Sequence, residues 1–262
     1  MRWAVVLLGL LLALASAGCM LQGPSLGAAP SYPRQVVGPD WPQLVVEVDY
    51  APGHSPGAAA LDHLLTTLRD VTSKQDVELD VNQSLADTPN KVWSSDELLR
   101  LEQTSRRHTH QAPHALLHVL YPSGSYEKSG GGNDIAGVTI GGTQLGPVTI
   151  FLDTIRGSSC VDTPGGSVPL PVDQPTQAVG RIERSTLLHE VGHAMGLVDN
   201  GISMVSNHED GAHPGHSPNK GSVMYWSIDT CQGLRDYFLR DGAIPDAFDG
   251  DDRADLRSVG GK

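Results

Sequence analysis

The chain has 262 residues and a formal charge of −12, from 30 acidic against 18 basic side chains. No Arg/Lys cluster with interleaved aromatic residues breaks this acidic surface, so a phosphate backbone is repelled and nucleic acid is excluded as a partner. Beyond an N-terminal leader about 240 residues remain, enough for one large domain or one domain in two lobes around a cleft.

Met1-Arg2 precedes an apolar run from Trp3 to Ala17, followed by Gly18-Cys19. The run is too short for a bilayer span and is charged only at its start, which reads as a secretion signal over residues 1–18. Ser16-Ala17-Gly18-Cys19 resembles the processing box of bacterial lipoproteins, whose cysteine carries the lipid. That resemblance implies export to a bacterial cell envelope, at the outer membrane or cell surface, with membrane contact through Cys19. Cys160 and Cys231 then remain as an even pair outside the reducing cytosol and can form one disulfide.

Residues 19–42 are rich in proline and glycine and read as a tether or short pro-segment, with the folded domain spanning 43–262. A strand is expected at 44–50, where Leu44-Val45-Val46-Glu47-Val48 ends at Pro52-Gly53. Ala60, Leu61, Leu64, Leu65 and Leu68 then give a helix over 57–70. Alternation predicts a second strand at 77–81, and Ser94 or Ser95 caps a helix running toward Arg106 or Arg107. Strands follow at 115–121, 135–140 and 148–155, with a glycine-rich turn at 129–133 between the first two. Such an order builds a mixed sheet with helices against it, its later strands at the edge, where an extended peptide could add as a strand.

A long helix is expected over 177–198, with an apolar stripe through Ile182, Leu187, Leu188, Val191, Ala194, Met195 and Val198. Residues 200–221 read as a polar loop carrying His208, His213 and His216, and 230–240 as a last helix. Asp246, Asp249, Asp251, Asp252 and Asp255 read as a hydrated acidic region, with no twelve-residue calcium loop.

The expected long helix contains His189-Glu190-Val191-Gly192-His193. Histidines four apart share a helical face, so both imidazoles can reach one cation. Glu190 is offset enough to act on a water held by that cation, as the base that takes its proton and returns it to a leaving amine. Gly196 stands where a glycine ends a helix in a left-handed conformation, and Asp199 follows three residues later. The loop offers His213 and His216 as alternative third ligands, and Glu209 after them.

Read from His189 through Gly196 to Asp199, the motif resembles the metzincin class of zinc peptidases, with aspartate in the third-ligand place as in snapalysin-like secreted bacterial members. Ser222-Val223-Met224-Tyr225 is similar to the methionine turn of that class, which puts Met224 beneath the metal. Tyr225 is a weaker match to an oxyanion helper, because Trp226 holds the place where some members have tyrosine. The resemblance implies an α+β zincin fold: a twisted sheet with packed helices in an upper lobe, an active-site helix, and an irregular lower lobe with the methionine turn. It further implies one catalytic zinc and endopeptidase action on extended polypeptides. A second zinc, or a calcium ion, is an additional candidate near the loop histidines and the acidic region. The competing expectation is an inactive, zinc-stabilised envelope binding protein on a peptidase scaffold.

Overall fold

The computed structural model describes residues 30–127, 135–141, 144–157, 175–231, 233–234, 237 and 243–262. The expected leader, Cys19, Cys160 and the 129–133 turn lie outside these residues. Helix α1 (Tyr32–Val37) leads into strand β1 (Gln43–Tyr50), helix α2 (Ala58–Val71) and strand β2 (Asp76–Asn82). A short strand β3 (Val92–Trp93), helix α3 (Ser95–Ser105), strand β4 (His114–Tyr121) and a short β5 (Ser125–Tyr126) follow. Strands β6 (Gly137–Thr139) and β7 (Val148–Ile150), helix α4 (Leu152–Arg156), the long helix α5 (Pro175–Ala194), a 3-10 turn (Trp226–Asp229) and helix α6 (Gly250–Ser258) complete the order. Residues 231, 233, 234 and 237 are helical as well, within the expected last helix.

The main sheet has the order β2-β1-β4-β7-β6. Its first four strands run parallel, and β6 closes one end antiparallel to β7, pairing Val138 with Thr149. Parallel strands need cover on both faces, and β1 is accordingly buried along nearly its whole length. Leu44, Val46 and Val48 of β1 and Leu117, Val119 and Tyr121 of β4 face the main core, packed with α2 and α5. Each such Leu or Val stabilises the fold by about 1.5–3 kcal/mol when fully buried. The N–H of Gly57, just before α2, donates to Glu183 of α5 at 2.8 Å and ties the start of α2 to the middle of α5.

Helix α3 begins as the sequence implies: Ser94 accepts from the Glu97 N–H, and the Glu97 carboxylate accepts from the Ser94 N–H at 3.0 Å. Two other expectations change. Residues 32–41 are part of the fold rather than a tether, since Tyr32, Val36 and Val37 sit in the core and the Tyr32 hydroxyl donates to the Leu116 carbonyl at 3.0 Å. Lys74 holds this segment by donating to the carbonyls of Gln35, Gly38 (2.8 Å) and Trp41 (2.6 Å). The acidic stretch near the C terminus is no hydrated tail: it forms α6, where Asp249 and Asp252 make a reciprocal capping box and Asp252 and Asp255 are wholly buried. Carboxylates in a first helical turn complement the helix dipole, which turns a run of acids into a helix start.

The expected strand over 148–155 stops at Ile150 and turns into α4. Cys231 is disulfide-bonded, and Cys160, its expected partner, lies outside the described residues. Cys231 is buried, with its Sγ 3.7 Å from the Thr154 carbonyl oxygen. No helix among the described residues is long and apolar enough to cross a membrane.

Candidate metal centre

Helix α5 carries His189, Glu190 and His193 through the middle of the core, with Leu187, Leu188, Val191 and Ala194 buried around them. Gly196, at φ +83°, ends this helical run, and its N–H bonds the His193 carbonyl at 2.9 Å. Val198 and Asp199 then also take positive φ values of 54° and 59°. This swings Asp199 to the exposed surface, outside the histidine cluster, so the expected fixed spacing of the third ligand fails. Consecutive left-handed residues reverse the chain before an aspartate at that position can reach back.

The third member comes from the loop. His189, His193 and His216 each offer a ring nitrogen within 4.8 Å of the others'. The His193 and His189 Nε2 atoms are 3.1 Å apart. The His216 ring stacks at 5.2 Å and 16° on His189 and stands edge-on to His193 at 4.8 Å. His189 Nδ1–H donates to the Val223 carbonyl at 2.7 Å, which leaves its Nε2 lone pair facing the cluster. His216 Nδ1 is likewise directed to the Pro214 carbonyl, at 3.2 Å. His213, the other loop alternative, turns away: it pairs with Asp210 at 2.7 Å and stacks on Trp226 at 4.1 Å.

Burial favours the neutral form of each ring. Burial pushes His189 down to about 3, with His216 adding to the shift and the Val223 carbonyl opposing it. Burial and the two neighbouring imidazoles carry His193 well below its ordinary value, and burial lowers His216 too. Neutral imidazoles with converging lone pairs repel one another unless a cation lies among them, and three histidines are a donor set suited to zinc.

Glu190 is almost fully buried. Burial pushes its carboxyl up to about 8, helped by the charge of Asp229 and opposed by the Thr139 hydroxyl. That hydroxyl, on the end strand β6, lies 2.8 Å from Glu190 Oε2 and 2.7 Å from the Glu190 carbonyl. Beneath the helix, Met224 is wholly buried. A Cβ added at Gly192 would stand 2.3 Å from its Sδ, so only glycine lets the helix settle on the sulfur. Tyr225 packs beside Tyr237 and Trp226, and no described ring contact joins it to the histidines. Thr139, Val223 and the packing of Gly192 on Met224 were not foreseeable as partners of the motif; only the glycine itself lay inside it.

No family model matches the chain, and no curated protein does. Among solved structures, the crystal structure of archaemetzincin from Methanopyrus kandleri matches with a TM-score of 0.51, over 84% of this chain and 97% of that one, at 13% sequence identity. The two folds are similar. The α+β arrangement expected of a zincin is therefore present, and the three-histidine cluster sits on its long helix.

A second group, Glu47, Asp49 and His118, also brings its ligand atoms within 4.8 Å of one another. It lies on the other face of β1 and β4, and its acceptors are already taken. Glu47 accepts from the N–H groups of Arg107 (2.7 Å) and His108 (2.8 Å). Asp49 accepts from Ser84 and His118 and is paired with the Arg107 guanidinium. The Arg107 guanidinium already supplies positive charge to these carboxylates, as in an internal ion-pair network.

Proposed function

We propose that this chain is a zinc-dependent endopeptidase acting on extended polypeptides. The observation that carries the reading is the convergence of His189, His193 and His216 beside the buried carboxyl of Glu190. These three imidazoles would hold the zinc. A zinc ion bound there supplies Lewis acidity, lowering the pKa of water and polarising a carbonyl oxygen.

Glu190 is the general base: its carboxylate accepts the proton of the attacking water and delivers it to the leaving amine. The Thr139 hydroxyl, 2.8 Å from Oε2, helps to hold the carboxylate in place for this role. Strand β6, at the end of the sheet, supports docking of an extended substrate by strand addition next to that carboxylate. Ser222-Val223-Met224-Tyr225 acts as a methionine turn, in which the Val223 carbonyl orients His189 and the Met224 side chain forms an apolar floor. The apolar leader and Cys19 support placing this activity at a bacterial envelope, anchored by lipid, with a peptidase domain that starts near residue 32.

The test is Glu190→Gln assayed on a quenched-fluorescent peptide library. Loss of about 10²–10⁴-fold in kcat/KM with zinc content retained is the expected result. A wild-type protein that binds zinc and cleaves no peptide would instead assign the scaffold to binding.

A further inference from the structure

The loop that supplies His216 also carries His208, which packs against helix α6. His208 is 8% exposed, and Asp252 and Asp255 are fully buried. His208 Nε2 lies 3.5 Å from Asp252 Oδ1 and 3.6 Å from Asp255 Oδ2. All three atoms are buried without a hydrogen-bond partner.

The remaining polar atoms of the same side chains are each anchored. His208 Nδ1–H donates to the Ser206 carbonyl at 2.9 Å. Asp252 Oδ2 accepts from the Ser222 hydroxyl (2.6 Å) and the Asp249 N–H (3.0 Å). Asp255 Oδ1 accepts from the Val205 N–H at 2.6 Å. One atom of each side chain is thus held by an outer partner while the other is directed inward, as in metal sites whose ligands are oriented by a second layer of hydrogen bonds.

We propose that His208, Asp252 and Asp255 form a second metal site, separate from the three-histidine cluster, for a divalent transition-metal ion, zinc in the first instance. The separations are too long for hydrogen bonds. They match two ligands of one tetrahedral zinc, which at about 2.0–2.2 Å from the ion stand about 3.3–3.6 Å apart. Charge gives the same answer. Two buried carboxylates with a protonated imidazole leave a net negative charge, whereas a divalent ion with a neutral imidazole cancels it. One nitrogen among the donors favours zinc over calcium, which takes oxygen ligands. The trio is not among the groups whose ligand atoms all lie within 4.8 Å of one another, so the two carboxylates close on the ion as it binds. They come from one turn of α6, at positions 252 and 255, and such residues share a helical face. The ion would staple the His216 loop to the C-terminal helix.

The site is tested by zinc content after equilibration and desalting, measured by inductively coupled plasma mass spectrometry on the full chain. In His193→Ala, which disables the three-histidine cluster, one zinc equivalent is expected to remain. Adding Asp255→Asn or His208→Gln to that background is expected to remove it, and zinc should raise the thermal midpoint only where the trio is intact. A folded His193→Ala protein that holds no zinc and does not respond to it overturns the proposal, leaving a proton rather than a metal among the three side chains. In the wild type, a zinc content unchanged by both His208→Gln and Asp255→Asn has the same force. Neither outcome depends on peptidase activity, so failure here and failure of the endopeptidase reading are told apart.

Discussion

Gly192 rests directly on the sulfur of Met224, with room for a hydrogen and nothing larger: a Cβ would come within 2.3 Å of Sδ and 3.0 Å of the Phe248 ring. Gly192 is the residue immediately before His193, so this contact sets how deeply the histidine-bearing helix lies against the 222–225 turn.

Gly192→Ala should therefore destabilise the protein by about 1–3 kcal/mol, as overpacking does in a dense core. The cost should shrink in a Met224→Ala background, where the sulfur is gone. Thermal or urea unfolding of the four proteins of this cycle measures the coupling, and strictly additive costs would refute the contact.

The reversal at Val198 and Asp199 makes a second expectation. His216→Ala should weaken zinc binding at the three-histidine centre by at least about tenfold, equivalent to 1.4 kcal/mol, while Asp199→Ala leaves it unchanged. Competition with a chromophoric chelator reads both. The reverse order of effects would restore Asp199 as ligand and discard His216.

A pH effect is expected where α1 meets the sheet. His110 Nδ1 accepts from the Leu116 N–H at 3.0 Å and its Nε2–H donates to Gln35 at 2.6 Å, between the rings of Tyr32 and Trp41. Burial pushes its pKa down to about 4, with the charges of Arg106 and Lys74 adding to the effect. The folded value lies below the unfolded one, near 6.5, so folding favours the neutral ring. This stabilisation is present above pH 6.5 and is lost as pH falls toward 4. His118, raised by its carboxylate partners against the burial that lowers it, contributes with the opposite sign, its stabilisation fading as pH rises. The difference in thermal midpoint between wild type and His110→Asn isolates His110, because asparagine keeps an acceptor for Leu116. That difference should shrink from pH 6.5 to 4.5, and a flat difference would contradict the assignment.

Strong local patterns carried over into the fold. The apolar spacing of α2, the capping residues of α3 and the alternation in β2 report on neighbours a few residues away, and the structure puts each element within a residue or two of its expected place. The histidine pair on α5 was legible for the same reason, since positions 189 and 193 are related by one helical turn. His216 was open among alternatives because nothing local relates it to them; two left-handed residues and a 200–221 loop intervene. Helix α1 was hidden because its stability comes from Lys74, more than thirty residues onward. Helix α6 was hidden because acidity suggested solvent, whereas Asp252 and Asp255 point inward.

One hydroxyl joins the last helix to the centre of the molecule. Ser222 Oγ accepts from the Met224 N–H at 2.9 Å and donates to Asp252 at 2.6 Å, and the Val223 carbonyl between them receives the His189 ring proton. The carboxyl-terminal tail is thus an internal brace: truncation that stops short of Asp252 strips the hydroxyl of its acceptor and slackens the peptide unit that aims His189. Tags or fusions are accordingly better tolerated after Lys262 than any shortening that reaches into α6.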